Sequence, residues 1–198
     1  MELTNSETKI NLMRAFAGES QARNRYTFAA SLAKTQNLSH IADIFLFTAG
    51  QEKEHAEIFY RYLSSFGGQN IRFDAAYPID DQSSVRSLLS ASSHNEREEA
   101  ETIYPTFAKK AEEEGFSAIA ASFRLIAEIE RTHAERFARF ATLAEKGQLS
   151  SSPDECAWMC LNCGHVHTGK NAPIVCPVCQ HNEGYFIRLP DAPYTSLI

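Results

Sequence analysis

Apolar residues recur every three or four positions through most of this chain, the mark of amphipathic helices. A first helix is predicted from about Ser6 to Gln36, with an inner stripe of Leu12, Phe16, Glu19, Arg23, Tyr26, Ala30 and Ala33. A second opens at Ser39, a favourable N-cap, and ends at the Gly67–Gly68 pair. Its stripe is Ile41, Ile44, Phe45, Thr48, Glu52, His55, Phe59, Tyr62 and Leu63. A third starts near Ser83 or Ser84 and stops at Gly115, through Val85, Leu88, Ser92, Glu96, Glu99, Ile103 and Phe107. The fourth continues to about Lys146, through Ile119, Phe123, Ile126, Glu130, His133, Phe137 and Phe140. There the periodicity ends. Gly147 closes the last helix, EKGQLSSSPDE reads as a connection, and every cysteine lies beyond Pro153. The chain is therefore expected to divide into a helical part, residues 1–148, a linker, 149–155, and a small C-terminal part, 156–198.

Very short turns join the first helix to the second and the third to the fourth, so each pair must form an antiparallel hairpin. The middle connection, FGGQNIRFDAAYPIDDQ, is long and rich in turn formers. The hairpins also repeat at an offset of 78 residues: Tyr26, Glu52, His55 and Phe59 recur as Tyr104, Glu130, His133 and Phe137. That offset sets Arg97 opposite Glu19, so Glu96 and Glu99 are read as flanking the symmetric position. Pro105 falls inside the third helix, where it costs on the order of 3 kcal/mol unless the helix kinks or bulges.

The acids in the stripes change the picture. Glu19, Glu52, Glu96, Glu99 and Glu130 occupy positions that the helical period assigns to the buried face. Each buried carboxylate costs several kcal/mol unless neutralised, and five together repel strongly. Arg23 alone cannot offset them; metal ions can. Glu52-x-x-His55 and Glu130-x-x-His133 each set a carboxylate and an imidazole one turn apart on one face. Oxygen donors with some imidazole suit iron or manganese better than copper. Paired Glu-x-x-His helices with acids on the other two match the ferritin-like bundle, four helices with one long crossover. Tyr26 and Tyr104, on the inner faces, are candidates to hydrogen-bond a ligand carboxylate. Glu54, Glu57, Glu98, Glu101, Glu112–Glu114 and Glu128 lie off the stripes and are read as solvated, and His40 and His94 as surface or cap residues.

The 198 residues, 43% apolar and 22% charged, describe an ordinary globular protein. No stretch approaches the roughly 18 apolar residues of a membrane span. The start, MELTNSETK, is not a secretory signal, so a cytoplasmic location is expected. A net charge of −6 without a basic stripe argues against a nucleic-acid partner. An odd number of cysteines and no export signal favour metal over disulfides. Cys160-x-x-Cys163 and Cys176-x-x-Cys179 form two hairpins suited to one tetrahedral four-thiolate ion, which would hold together a segment too small to fold on burial alone. Trp158, Val166, Ile174, Tyr185 and Phe186 are the expected apolar shell. His165, His167 and His181 are read as surface residues and Cys156 as a free thiol. Spacing alone admits zinc as readily as iron.

On AFAGESQARNRY, QEKEHAE, NEREEAETIYPTFAKKAEEEG and EIERTHAERF, the chain resembles rubrerythrin over its whole length, and WMCLNCGHVHTGKNAPIVCPVC is similar to a rubredoxin domain. The resemblance implies an all-α ferritin-like four-helix bundle with a small C-terminal rubredoxin-like metal-binding β domain. It implies two iron ions bridged by Glu52 and Glu130, with Glu19, Glu96, Glu99 and His133 as terminal ligands. His55 and Glu99 would be alternative ligands to one iron. A third iron would sit on the four cysteines, fed with electrons by rubredoxin or an NAD(P)H-dependent reductase. The implied activity is reduction of hydrogen peroxide by a homodimer, with Glu19, Glu52, Glu99, Glu130, Tyr26 and Tyr104 in catalytic roles. The alternative is iron oxidation and storage.

Overall fold

The computed structural model describes residues 2–193, so the last five residues of the C-terminal part, 194–198, lie outside the described residues. The hairpins form as their short turns require. Helix α1 (Glu7–Thr35) packs along α2 (Ser39–Tyr62), and α3 (Val85–Glu98) with α4 (Tyr104–Glu113) packs along α5 (Ser117–Glu145). The Ser6 and Ser84 hydroxyls cap α1 and α3. Ser39 is not a cap: Leu38 holds that position, and among the described residues no side chain caps the start of α2. Glu114 is not simply solvated; it accepts from the backbone N–H groups of Glu7 and Thr8 at 3.0 and 2.9 Å, placing a carboxylate at the start of α1.

Two readings of the stripes need correction. In α1 the buried series includes Leu12, Ala15, Glu19, Ala22, Tyr26, Ala29, Ala30 and Ala33, with Arg23 exposed and Phe16 half-buried. The expected third helix is three segments. Between α3 and α4 the residues Glu99–Ile103 form a π turn, in which the Tyr104 N–H reaches the Glu99 carbonyl, five residues back. Pro105 follows directly and has no N–H to continue the ordinary ladder, so the bulge takes the place of a kink. The turn adds one residue to the second hairpin. Before it the repeat offset is 77 and after it 78, so the counterpart of Glu19 is Glu96 and not Arg97.

Residues 69–84, the crossover, carry no regular structure and run over α1 and α3. Asp80 holds Arg25 at 2.7 Å and accepts from Asn95 at 3.0 Å, while the Tyr77 hydroxyl donates to the Arg14 carbonyl at 2.7 Å. These bonds do the fixing that a ladder does elsewhere.

The C-terminal part is a three-stranded antiparallel sheet of β1 (Ser151–Cys160), β2 (Val166–Asn171) and β3 (Phe186–Arg188), in the order β2-β1-β3. The strand starts at Ser151, inside the stretch read as a linker. The small core is Trp158, Ala172, Phe186 and two cysteines, with Tyr185 against it; Val166 and Ile174 are 46% and 79% exposed and do not join it. Ile187 and Ala192 instead pack into the bundle's own core. At this junction His40, expected on the surface, is buried, and its Nδ1–H donates to the Gly184 carbonyl at 2.8 Å. A Cβ on Gly184 would collide with the carbonyl of Asn37, itself in the left-handed region at φ 56°.

Candidate metal centre

Midway along the bundle each of α1, α2, α3 and α5 turns acid or imidazole inward, because these residues occupy the stripe that otherwise carries Phe and Ala. Glu19, Glu52, Glu96, Glu130 and His133 are at most 1% exposed. Their atoms form two overlapping sets. Glu19, Glu52, His55 and Glu130 offer ligand atoms within 4.8 Å of one another, and so do Glu52, Glu96, Glu130 and His133. Glu52 and Glu130 belong to both sets, so each offers its carboxylate to either half of the cluster. His55 Nδ1 lies 2.8 Å from Glu130 and 3.2 Å from Glu52; His133 Nδ1 lies 2.8 Å from Glu130 and 3.0 Å from Glu52. The rings face each other with centroids 5.8 Å apart.

The donor set fits a pair of cations. Glu19 Oε2, Glu52 Oε1, Glu96 Oε2, both Glu130 oxygens and His133 Nδ1 are buried and, among the described residues, make no hydrogen bond. Burial, reinforced by neighbouring acids, pushes the carboxyls of Glu19, Glu96 and Glu99 well above the usual range. Burial resists charging of the imidazoles but is outweighed by the acids around them, chiefly Glu130 at His55 and Glu52 at His133, so both are driven up. So many acids cannot ionise together in this space without added positive charge.

The tyrosines act across the hairpins. Tyr26, on α1, donates to Glu96 on α3, and Tyr104, on α4, donates to Glu19 on α1. Glu99 is placed differently. It joins neither set of ligand atoms, is half-buried, and lines a cavity of about 430 Å³ with Gly18, Tyr77 and Tyr104. His55 stands inside the cluster where Glu99 does not. Sequence reasoning missed Gln51, whose Oε1 faces His133 Nε2 at 3.1 Å, and Arg136, which reaches the same oxygen at 3.3 Å. Neither carries a stripe signal. His94 is exposed on α3.

In the sheet part the four thiols converge. Cys160 and Cys179 sulfurs are 3.7 Å apart and those of Cys163 and Cys176 3.6 Å. A tetrahedral ion with bonds of about 2.3 Å requires sulfur–sulfur edges of about 3.8 Å. Two knuckles supply this geometry: Cys160 N–H bonds the His165 carbonyl and Cys176 N–H the His181 carbonyl, both at 2.8 Å. Gly164 and Gln180 close the knuckles at φ 77° and 63°. The His181 N–H holds the Cys179 thiol down to about 5. Cys156 is a free, half-buried thiol outside the cluster.

The rubrerythrin family model matches residues 11–141, and that of the rubrerythrin rubredoxin-like domain matches residues 158–187. Rubrerythrin from Porphyromonas gingivalis is 45% identical over 181 residues, 91% of this chain and 89% of that one. Rubrerythrin from Clostridium perfringens is 40% identical over 185 residues, 93% and 95% of the two chains. Among solved structures, fully reduced, all-ferrous nigerythrin superposes with a TM-score of 0.63 at 28% identity, over 93% of this chain and 87% of that one. A bacterioferritin from Desulfovibrio desulfuricans, 20% identical with a TM-score of 0.64 over 72% of this chain and 82% of that one, shares the fold. The glutamate–histidine sets fit a diiron carboxylate-type site and the four thiols a rubredoxin-like iron site.

Proposed function

The chain belongs to the rubrerythrin family, and from that premise we propose that it is a non-haem diiron peroxidase that reduces hydrogen peroxide to water. One observation carries the reading: two ligand sets share Glu52 and Glu130 in a buried bundle, on the same chain as a four-cysteine cluster in a rubredoxin-like domain. Glu19, Glu52, His55 and Glu130 would hold one iron, Glu52, Glu96, Glu130 and His133 the other, and Cys160, Cys163, Cys176 and Cys179 a third. Bound there, the paired irons supply electrons and Lewis acidity.

The residues do the rest. Glu52 and Glu130 keep the two positions at a fixed spacing. Tyr104 and Tyr26 orient Glu19 and Glu96, so that each carboxylate presents its other oxygen to the metal side. Glu99, which lines the cavity together with Tyr104, would accept a peroxide proton and return it to the departing oxygen. The apolar packing of Phe45, Phe59, Phe123 and Phe137 above and below keeps other water out.

Electrons would arrive from rubredoxin or an NAD(P)H-dependent reductase through the four-cysteine site, in a cytoplasmic homodimer. No helix among the described residues is long and apolar enough to cross a membrane. Stopped-flow oxidation of the reduced, iron-loaded protein by peroxide and by oxygen, with metal content measured on the same sample, tests the proposal. Fast reoxidation by peroxide with turnover supports it. Reoxidation by oxygen with net iron uptake and no peroxide turnover favours the iron-storage reading instead.

A further inference from the structure

The cavity beside the metal centre is larger than hydrogen peroxide needs. Its volume of about 430 Å³ is about seven times the roughly 60 Å³ that two water molecules, a fair measure of that oxidant, occupy in the liquid. Pockets for small organic molecules begin at about 300 Å³. The walls are mostly apolar: Ala15 and Gly18 on α1, Ala75 and Ala76 on the crossover, Ile103 and Phe107 on the second hairpin. Two lining residues join this space to the cluster. Tyr104 donates to Glu19, and Gly18 precedes Glu19 in the chain.

Gly18 leaves the room. Glycine inside a helix costs about 1 kcal/mol relative to alanine, and Gly18 is not in the left-handed region that would call for it. A Cβ here would meet only the Tyr77 ring, whose Cε1 is 3.5 Å away. Across the repeat Gly18 corresponds to Asn95, whose amide is committed to Asp80 at 3.0 Å. Tyr77 supplies the roof. Its hydroxyl donates to the Arg14 carbonyl at 2.7 Å, and Arg14 Nε donates to the Asp74 carbonyl at 3.0 Å. Further on, Asp80 holds Arg25 at 2.7 Å, so the crossover is pinned to α1 on both sides of the tyrosine.

We propose that this cavity admits small organic hydroperoxides, ROOH, and holds their alkyl or aryl group between Gly18 and the Tyr77 ring. Two electrons from the reduced iron pair and two protons from solvent break the O–O bond. One oxygen leaves as the alcohol ROH and the other as water. The proposal rests on the peroxidase reading and widens its substrate class.

Binding can be read without turnover. In the zinc-loaded protein, cumyl alcohol, the product expected from cumene hydroperoxide, should occupy one saturable site in ligand-observed NMR. Gly18→Val fills the space, and Tyr77→Ala removes the roof; Tyr77 is 37% exposed on the crossover, so the second change spares the core. Each should weaken alcohol binding at least about 10-fold, the lower end of what one methylene decides in a fitted pocket. In the iron-loaded protein, the ratio of kcat/KM for cumene hydroperoxide to that for hydrogen peroxide should fall by a similar factor. An absent alcohol site, or one that both variants leave unchanged, overturns the proposal. So does reoxidation by hydrogen peroxide with none by cumene hydroperoxide, which leaves the peroxidase reading standing. Reoxidation by neither sinks both.

Discussion

His40 joins the bundle to the sheet, and its titration gives a test of how firmly the two parts are docked. The ring is 1% exposed, donates to the Gly184 carbonyl, and is held down to about 4 by burial, with Arg188 pushing the same way. An unfolded chain protonates histidine near 6.5. The unfolded state therefore takes up the proton first as pH falls. The stability that depends on a neutral His40 is whole above about pH 6.5 and drains away on the descent to about 4. A separation of about 2.5 pH units at about 1.36 kcal/mol each amounts to about 3 kcal/mol in full. About 2 kcal/mol of this is gone by pH of about 5. His40→Gln keeps a donor for Gly184 but cannot titrate. Urea unfolding of the zinc-loaded proteins, followed by far-ultraviolet circular dichroism from pH of about 7.5 to about 5, should show wild type losing about 2 kcal/mol more than the variant. Acid effects on the metal ligands are common to both and cancel in the difference. Parallel pH slopes would refute the burial and the docking together.

Gly184→Ala drives a methyl into the Asn37 carbonyl and parts His40 from its acceptor; urea unfolding should show a loss on the order of 2–4 kcal/mol, and a loss under about 0.5 would contradict the close approach. Asp80→Asn breaks a largely buried pair with Arg25, and thermal unfolding should register about 1–3 kcal/mol, with faster proteolysis of residues 69–84. Cys163→Ser should abolish visible absorbance of the four-cysteine iron and expose the C-terminal part to protease while helix content stays; a retained red chromophore would rule out Cys163 as a ligand. Tyr104→Phe and Tyr26→Phe should each weaken ferrous binding about 10-fold by releasing Glu19 or Glu96, and unchanged titrations would show that the hydroxyls do not orient the acids.

The bundle and its acids were legible because one physical signal wrote both. A Glu at the period that carries Phe123 and Phe137 is conspicuous in any amphipathic helix, and Glu52, Glu130, His55 and His133 all stood at such positions. The thiolate knuckles were legible from spacing alone. What the period could not express was any contact made off the stripe. Gln51 and Arg136 sit on the flanks of α2 and α5, where polar residues are ordinary, so their approach to His133 leaves no mark in one sequence. His40 failed for a related reason: a polar residue in the first turn of a helix reads as solvated, and only the packed sheet buries it. Arg23 for Ala22 was an error of phase, a stripe drawn with a mean period of 3.5 drifting off a helix of 3.6.

The misplaced partner of Glu19 teaches more, because the clue lay in the sequence. Tyr26 follows Glu19 by seven positions, and Tyr104 follows Glu96 by eight. In an unbroken α-helix one added residue turns everything beyond it by about 100°. Tyr104 would then face away from Glu19, and the crossed pair Tyr26–Glu96 and Tyr104–Glu19 could not close. The π turn absorbs the extra residue, returning Tyr104 to the axis and giving Pro105 a place where its missing N–H does least harm. It also sets Glu99 on the flank, beside the cavity, where a continuous helix offered a second core position. A repeat whose spacing differs by one residue on a single helix is thus evidence of a bulge there. The group that breaks the symmetry, Glu99, is found at its start.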